Sequence, residues 1–228
     1  MNIFVLDPCP WQAAKQHCDK HVVKMILEYG QMLSTAHRLL DGQPITAIDP
    51  ENRRRPKKMW LFPGEQPYLN ADLDEDGNWV YRWIILNQSI YNVAHANHPC
   101  SAWARETDAN YHWLRQLFSA CLDEYTRRYG KVHSAARLEE LLTRAPHGVK
   151  RSQQTPFPLA MPEEFKNEDA VEAYRNFYAG AKARFAKWTD VPVPKWFIYR
   201  MEGQDVSLFS RTRSVDRSPP LLLSANGA

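Results

Sequence analysis

Long apolar runs are absent from this chain of 228 residues: no stretch reaches the roughly 18 consecutive apolar residues that a bilayer-crossing helix needs, so a membrane protein is not expected. The N-terminus lacks a basic stretch ahead of an apolar one. It opens Met1-Asn2-Ile3-Phe4-Val5-Leu6-Asp7, which does not read as a secretory signal, and a cytoplasmic location is expected. Cysteine is sparse. Cys9, Cys18, Cys100 and Cys121 are too few for a disulfide scaffold in a chain of this length and should be free thiols. Charge of one sign is not in large excess either: 29 Lys and Arg against 26 Asp and Glu give +3, which permits a polyanionic partner without demanding one. No phosphate-binding glycine loop, dinucleotide fingerprint, zinc-finger spacing or clear recognition helix is present, so nucleotide-cofactor classes drop out and no cofactor or metal is expected. Aromatic residues are plentiful at 12%, as befits a folded domain with rings to spare for a pocket or for bases.

Helical periodicity dominates what is there. Cys18, Val22, Met25, Ile26, Tyr29, Leu33, Ala36 and Leu40 recur three or four apart and predict one helix from Trp11 to about Leu40, stopped by Asp41-Gly42 and Pro44. Residues 41–77, rich in proline and charge, read as a long basic loop. A second periodic stretch covers Trp79 to Ala94. A third, Ser101 to Tyr129, places Asn110, Leu114, Leu117, Phe118, Cys121, Leu122 and Tyr125 on one face before a Gly130 stop. A short helix follows at Ser134–Thr143, Thr155 to Pro162 should lie extended across the core, and a last helix runs from Glu168 to Trp188 with Arg175, Lys182, Arg184 and Lys187 outward. These patterns predict an all-α class: one compact helical domain over 1–200, a short extended N-terminal segment, and a flexible basic tail over 201–228.

The densest ionisable cluster lies on the first helix, where His17, His21, Lys24 and Glu28 are four, three and four apart and so share a face. A solvated face with pairs such as Lys24 to Glu28 accounts for that spacing. So does a site, in which imidazoles that titrate near neutrality stand beside anion-binding Lys20 and Lys24. His17 and His21 also have the spacing of a helical metal pair, but the glutamate that follows the first histidine in zinc proteases is missing. A second cluster surrounds Asn97-His98-Pro99, with Trp103, Arg105, Glu106 and Tyr111. Ordinary capping explains it, and so does a phosphate at a helix start held by His98 and Arg105. Arg53, Arg54 and Arg55 in the long loop, with Arg127 and Arg128, offer contacts to a phosphate backbone.

The run Ala14-Lys15-Gln16-His17, then Asp19-Lys20-His21-Val22-Val23-Lys24 through Gln31-Met32-Leu33, Asn97-His98-Pro99 and Glu124-Tyr125-Thr126-Arg127-Arg128-Tyr129-Gly130, resembles phage and bacterial proteins related to pyrimidine-dimer DNA glycosylase of the endonuclease V type. The resemblance covers about the first 130 residues. It implies a compact all-α fold that binds double-stranded DNA, distorts it and acts on a flipped pyrimidine. The family glycosylases use the α-amine of the mature N-terminus as nucleophile, with a carboxylate on the first helix as its partner. Matching Ala-x-Gln-His sets His17 on a family histidine near the DNA and puts the glutamate position on Lys24, while Asn2 disfavours removal of Met1.

Those two departures speak against glycosylase and lyase chemistry and for a substrate that brings its own negative charge. The expectation is therefore a phage transferase, in the cytoplasm of an infected host, that places an amine or amino acid on a phosphorylated or pyrophosphorylated 5-hydroxymethyluracil in DNA. Lys20, Lys24 and Arg105 would hold the leaving phosphate. His17 or His21 would deprotonate the amine, Glu106 or Glu28 would orient it, and Trp103 or Tyr111 would stack on the base. A pyrimidine-dimer glycosylase with lyase activity and a non-catalytic DNA-binding protein stay open as alternatives.

Overall fold

The computed structural model describes residues 1–48, 56–201 and 205–212. Helix α1 (Pro10–Gln16) starts with proline at its first turn, where no amide donor is needed. Helix α2 (Asp19–Asp41) follows after a break, and α2 is the spine of the molecule. Two hairpins come next. Strands β1 (Gln43–Ala47) and β2 (Lys57–Leu61) pair antiparallel, as do β3 (Gln66–Leu73) and β4 (Trp79–Leu86). Helices α3 (Pro99–Ala104) and α4 (Asp108–Tyr129) return to the core, and α4 packs on both α1 and α2. The C-terminal part holds α5 (Ala170–Phe177), the two-residue strand β5 (Trp188–Thr189), α6 (Lys195–Arg200) and β6 (Ser210–Arg211), which pairs parallel with β5.

The all-α expectation is corrected. Of the described residues 45% are helical and 16% lie in strands of three small sheets, a mixed α/β chain in which helix still predominates. The segment read as a long loop, 41–77, contains β1, β2 and all of β3, and the stretch read as helical from Trp79 to Ala94 begins with β4. Trp79 to Leu86 is almost wholly aromatic and β-branched, which suits a pleated strand, and it pairs residue for residue with Gln66–Leu73. The turn between them is set by Asp74, whose Oδ1 accepts from the amides of Asp76 and Asn78, and by Gly77 at φ +80°.

The predicted helices are also cut where tertiary partners take their amides. Between α1 and α2, the Cys18 amide donates to the Tyr178 hydroxyl at 2.7 Å and the Asp19 amide to the Lys187 carbonyl at 2.8 Å. Between α3 and α4, Thr107 caps the amide of Asn110, and the Asp108 amide donates to the Lys150 carbonyl. The last predicted helix stops being α-helical after Phe177, continues as a π turn over Tyr178–Lys182 and a 3₁₀ turn over Ala183–Phe185, and gives way to β5. Ser134–Leu138 is 3₁₀ rather than a longer helix.

The core forms where the stripe of α2 (Val22, Met25, Ile26, Tyr29, Leu33, Ala36) meets that of α4 (Leu114, Leu117, Phe118, Cys121), with Ile3, Phe4, Val5 and Leu6 threaded through it. Burial on this scale is the main stabilising term. All four cysteines are free; only Cys9 is exposed. The hairpins are tied to α2 by a buried ion pair, Arg38 Nη1 to Glu65 Oε2 at 2.8 Å and Nη2 to Oε1 at 3.0 Å. Glu65 also accepts from the amides of Phe62 and Ser89. Burial alone would push its carboxyl up, but Arg38 and these amides outweigh it and bring Glu65 down to about 2. Phe209, in the segment read as a tail, is buried in the main core. Among the described residues no helix is long and apolar enough to cross a membrane.

Candidate active site

A cavity of about 680 Å³ opens where the N-terminal segment, the first turns of α2 and the C-terminal π and 3₁₀ turns meet. From α2 come Lys20, His21, Lys24 and Glu28, the last three of which helical spacing sets on one side. From the C-terminal turns come Lys182, Arg184 and Phe185. A π turn widens the helix by one residue and redirects the chain beyond it, which brings two side chains read as outward into the cavity.

Among the described residues Glu28 is the one carboxylate lining this cavity, and it is 9% exposed. Its Oε1 is 3.1 Å from Lys24 Nζ. Its Oε2 lies 3.6 Å from the α-amino nitrogen of Met1 and accepts from the Asn2 amide at 3.2 Å. Asn2 holds the terminus in place: its side-chain nitrogen donates to the Ala160 carbonyl at 2.9 Å, and its oxygen accepts from the Ile3 amide at 2.8 Å. The extended Thr155–Pro162 segment thus supplies an anchor for the amine.

The cations stand over rings. Lys182 Nζ is 4.3 Å from the centre of Phe177, while Lys20 Nζ and the Arg184 guanidinium lie 5.1 Å and 5.8 Å from Phe185. Burial, then the nearby charges of Arg184 and Lys24, pull the Lys182 ammonium below the usual lysine range. Among the described residues four cationic side chains and the Met1 amine surround one carboxylate, an excess of positive charge that favours an anion.

His21 is 5% exposed, stacked on Phe4 at 4.4 Å and edge-on to Tyr178 and Phe185. Phe4 reaches that position with φ +29°, a backbone conformation that β-strands do not use. Burial, together with the charges of His17, Lys182 and Lys24, lowers His21 to about 2, so the ring is neutral, and its Nδ1 is buried with no hydrogen-bond partner.

Several residues chosen from the sequence lie elsewhere. His17 is fully buried: Nδ1 donates to the Ala13 carbonyl at 2.6 Å, Nε2 meets the Tyr29 hydroxyl at 2.8 Å, and burial brings it to about 4. A sealed ring cannot take a proton from a substrate amine. Trp103 is packed between Trp113 and Phe157 and donates to the Thr155 carbonyl, so neither of its faces is open to a base. Tyr111 is fully buried, donating to the Leu142 carbonyl at 3.0 Å. Arg128 is enclosed by Glu124, Asp19 and the Lys15 carbonyl, a structural hub rather than a DNA contact. Arg127 pairs with Glu124 from an exposed position. His98 caps α3 by accepting from the Cys100 amide, a helix of six residues. Arg105 is half-buried against Ser101, and exposed Glu106 accepts from Thr155 Oγ1; neither lines the cavity. Arg53, Arg54 and Arg55 lie outside the described residues.

The structure therefore brings Lys20, His21, Lys24 and Glu28 together and adds what the sequence did not offer: the Met1 amine, Phe4, Phe177, Lys182, Arg184 and Phe185. The match on Ala-x-Gln-His put a lysine where the resemblance wants a carboxylate. In three dimensions the carboxylate facing the amine is Glu28, one helical turn further along α2. Among the described residues no three His, Cys, Asp or Glu side chains gather as a metal set. No protein-family model matches this chain, and no solved structure matches it at a significant level.

Proposed function

We propose that this cavity is the active site of a DNA enzyme that acts on an extrahelical pyrimidine nucleotide through the Met1 α-amine and Glu28, in the manner of a DNA glycosylase with lyase activity. The observation that carries the reading is the 3.6 Å approach of amine and carboxylate inside a cavity walled by cations. Glu28 supplies the carboxylate, and the amine at its side is that of Met1 itself, so removal of Met1 is not required.

The chemistry rests on the groups present. A free amine attacks C1′ of the nucleotide, the C1′–N1 bond breaks, and the pyrimidine leaves with the bonding pair and gains a proton. The attached nitrogen loses one proton, the sugar C1′–O4′ bond opens with its electron pair on O4′, and transfer of the second nitrogen proton to O4′ leaves an imine joining Met1 to C1′. Glu28 is placed to receive the amine proton and to balance the positive charge that develops on the sugar. Lys20, Lys182 and Arg184 hold the flanking phosphates, and neutral His21 offers a hydrogen bond to the base or sugar. The volume of about 680 Å³ suits a nucleotide rather than a duplex.

The test is borohydride reduction during incubation with duplex DNA carrying a pyrimidine dimer or an abasic site. A covalent adduct that peptide mass spectrometry maps to Met1, lost in Glu28→Gln, is the expected result. Absence of any adduct with either substrate, from a chain whose N-terminus is verified by intact mass, overturns the reading.

A second reading is favoured by the excess of cations: an amine transferase acting on phosphorylated or pyrophosphorylated 5-hydroxymethyluracil in DNA. There Lys20, Lys24, Lys182 and Arg184 hold the departing phosphate and Glu28 accepts the proton of the incoming amine. Nucleoside mass spectrometry of DNA carrying that base, after incubation with amino acids and polyamines, separates the two, because only the transferase leaves a new thymidine adduct and an intact strand.

A further inference from the structure

A second cavity, of about 550 Å³, is built by the first turn of α4 and by residues 143–151, and it shares no residue with the first. Its wall carries Arg144, Arg151, His112 and His147. Arg115 reaches its rim, donating to Thr143 Oγ1 at 3.4 Å, and keeps a buried Nε with no partner. Among the described residues none of these three guanidiniums is in an ion pair, whereas Arg38, Arg127, Arg128, Arg175 and Arg200 each have a carboxylate.

Two acids stand at this cavity, Asp108 in its wall and Asp41 behind the loop, and both accept hydrogen bonds from backbone amides. Asp108 Oδ1 accepts from the amides of Ala109 and Ser152, both at 2.9 Å. Asp41, at the end of α2, accepts from the amides of His147 and Gly148 at 3.0 Å and 3.1 Å. Gly148 itself lies so close to the Leu40 carbonyl that an added Cβ would stand 3.0 Å from it, which fixes the loop against α2. The loop is thus pinned by backbone amides, and among the described residues the arginine side chains it displays form no ion pair, although Asp108 shares the wall with them. Guanidinium groups match phosphate oxygens two at a time, which a set of lysines does not.

We propose that this cavity is a second phosphate-binding site, in which Arg144 and Arg151 grip a phosphate group with His112 and His147 at its edge. The phosphate comes either from the backbone of the DNA bound at the active site or from a free mononucleotide. The first source rests on the DNA reading above; the second stands without it.

The experiment uses the full chain and the variant Arg144→Ala with Arg151→Ala, both exposed positions where thermal unfolding should match the parent. Two quantities are read: the salt dependence of duplex DNA binding, and the response of the His112 and His147 ring resonances to inorganic phosphate and to thymidine monophosphate. If the DNA is the source, the slope of log affinity against log salt becomes shallower by about 1 to 2 in the variant, since each phosphate contact contributes roughly 0.9. If a free phosphate is the source, both small ligands shift the histidine resonances of the parent and the variant loses that response. An unchanged slope together with silent histidines overturns the proposal. Glu28→Gln run alongside keeps the two claims apart: it removes turnover but leaves the slope and the histidine response as they are.

Discussion

Glu28 lies 26 residues beyond Asn2, yet its carboxylate meets the Met1 amine at 3.6 Å, because Asn2 anchors the terminus to Ala160 and to that carboxylate at once. Glu28→Gln keeps the shape and most of the hydrogen bonding while removing the charge. Single-turnover base release or strand cleavage should fall at least about 100-fold, the usual scale for a positioned proton acceptor. Stability should fall as well, by about 1–3 kcal/mol, because the exposed Lys24 loses little but the buried Met1 amine loses its charge partner. Equal losses of rate and of melting temperature would mean that Glu28 is structural.

Acid should unfold the protein from the histidine side. Native His21 and His17 stay neutral down to about 2 and about 4, whereas unfolded histidine takes a proton near 6.5. Below pH 6.5 the unfolded state therefore binds more protons, and each ring subtracts on the order of 1.4 kcal/mol per pH unit as pH falls, down to about 4 for His17 and about 2 for His21. Urea unfolding at pH 7.5 and pH 5 should show the loss. His21→Phe should lose roughly 1 to 2 kcal/mol less over that interval; an identical pH dependence would show that His21 is not held neutral.

Arg38→Ala should be among the most damaging substitutions in the chain. It leaves Glu65 buried without its cation and takes a donor from the carbonyls of Trp60, Ile90 and Tyr91, of which Ile90 keeps Gln88. Losing one partner of a buried pair costs about 3–5 kcal/mol. Chemical denaturation should report that loss, and Arg38→Met combined with Glu65→Gln should recover part of it. A loss under about 1 kcal/mol would show that the pair does not hold the hairpins.

Gly180→Ala tests the π turn that carries Lys182 into the cavity. An added Cβ would stand 2.4 Å from Phe165 Cε1 and 2.9 Å from Cζ, so the ring must move. Overpacking of this kind destabilises by about 1–3 kcal/mol, and DNA binding should weaken with it. Adding Phe165→Ala should relieve the clash, so the double variant should bind better than Gly180→Ala alone; no relief would place the strain elsewhere.

Much of the helical core was legible in the sequence because helical period is a local property. Val22, Met25, Ile26, Tyr29, Leu33 and Ala36 are all buried as their spacing says, and so are Asn110, Leu114, Leu117, Phe118, Cys121 and Leu122. Gly130 ends α4 in the left-handed conformation expected of a glycine stop. Asp76-Gly77 falls at the end of the segment read as one loop, and the apolar residues after it fit a helix and a strand alike until a partner strand decides between them. Where α2 begins was not readable at all, since it depends on the Tyr178 hydroxyl taking the Cys18 amide 160 residues away.

By itself the sequence determined the stripe of α2 and, with it, the shared face of His21, Lys24 and Glu28, because residues three and four apart must stand together on a helix; His17, read onto the same face, falls outside α2. Tertiary structure decided the rest of the site. It sealed His17, Trp103, Tyr111 and Arg128 inside, turned Lys182 and Arg184 inward at the π turn, and set the Met1 amine against Glu28. The reason is range: spacing fixes which side chains share a face, but which face meets another chain segment, and which polar group is then buried, is settled by contacts between residues far apart in sequence.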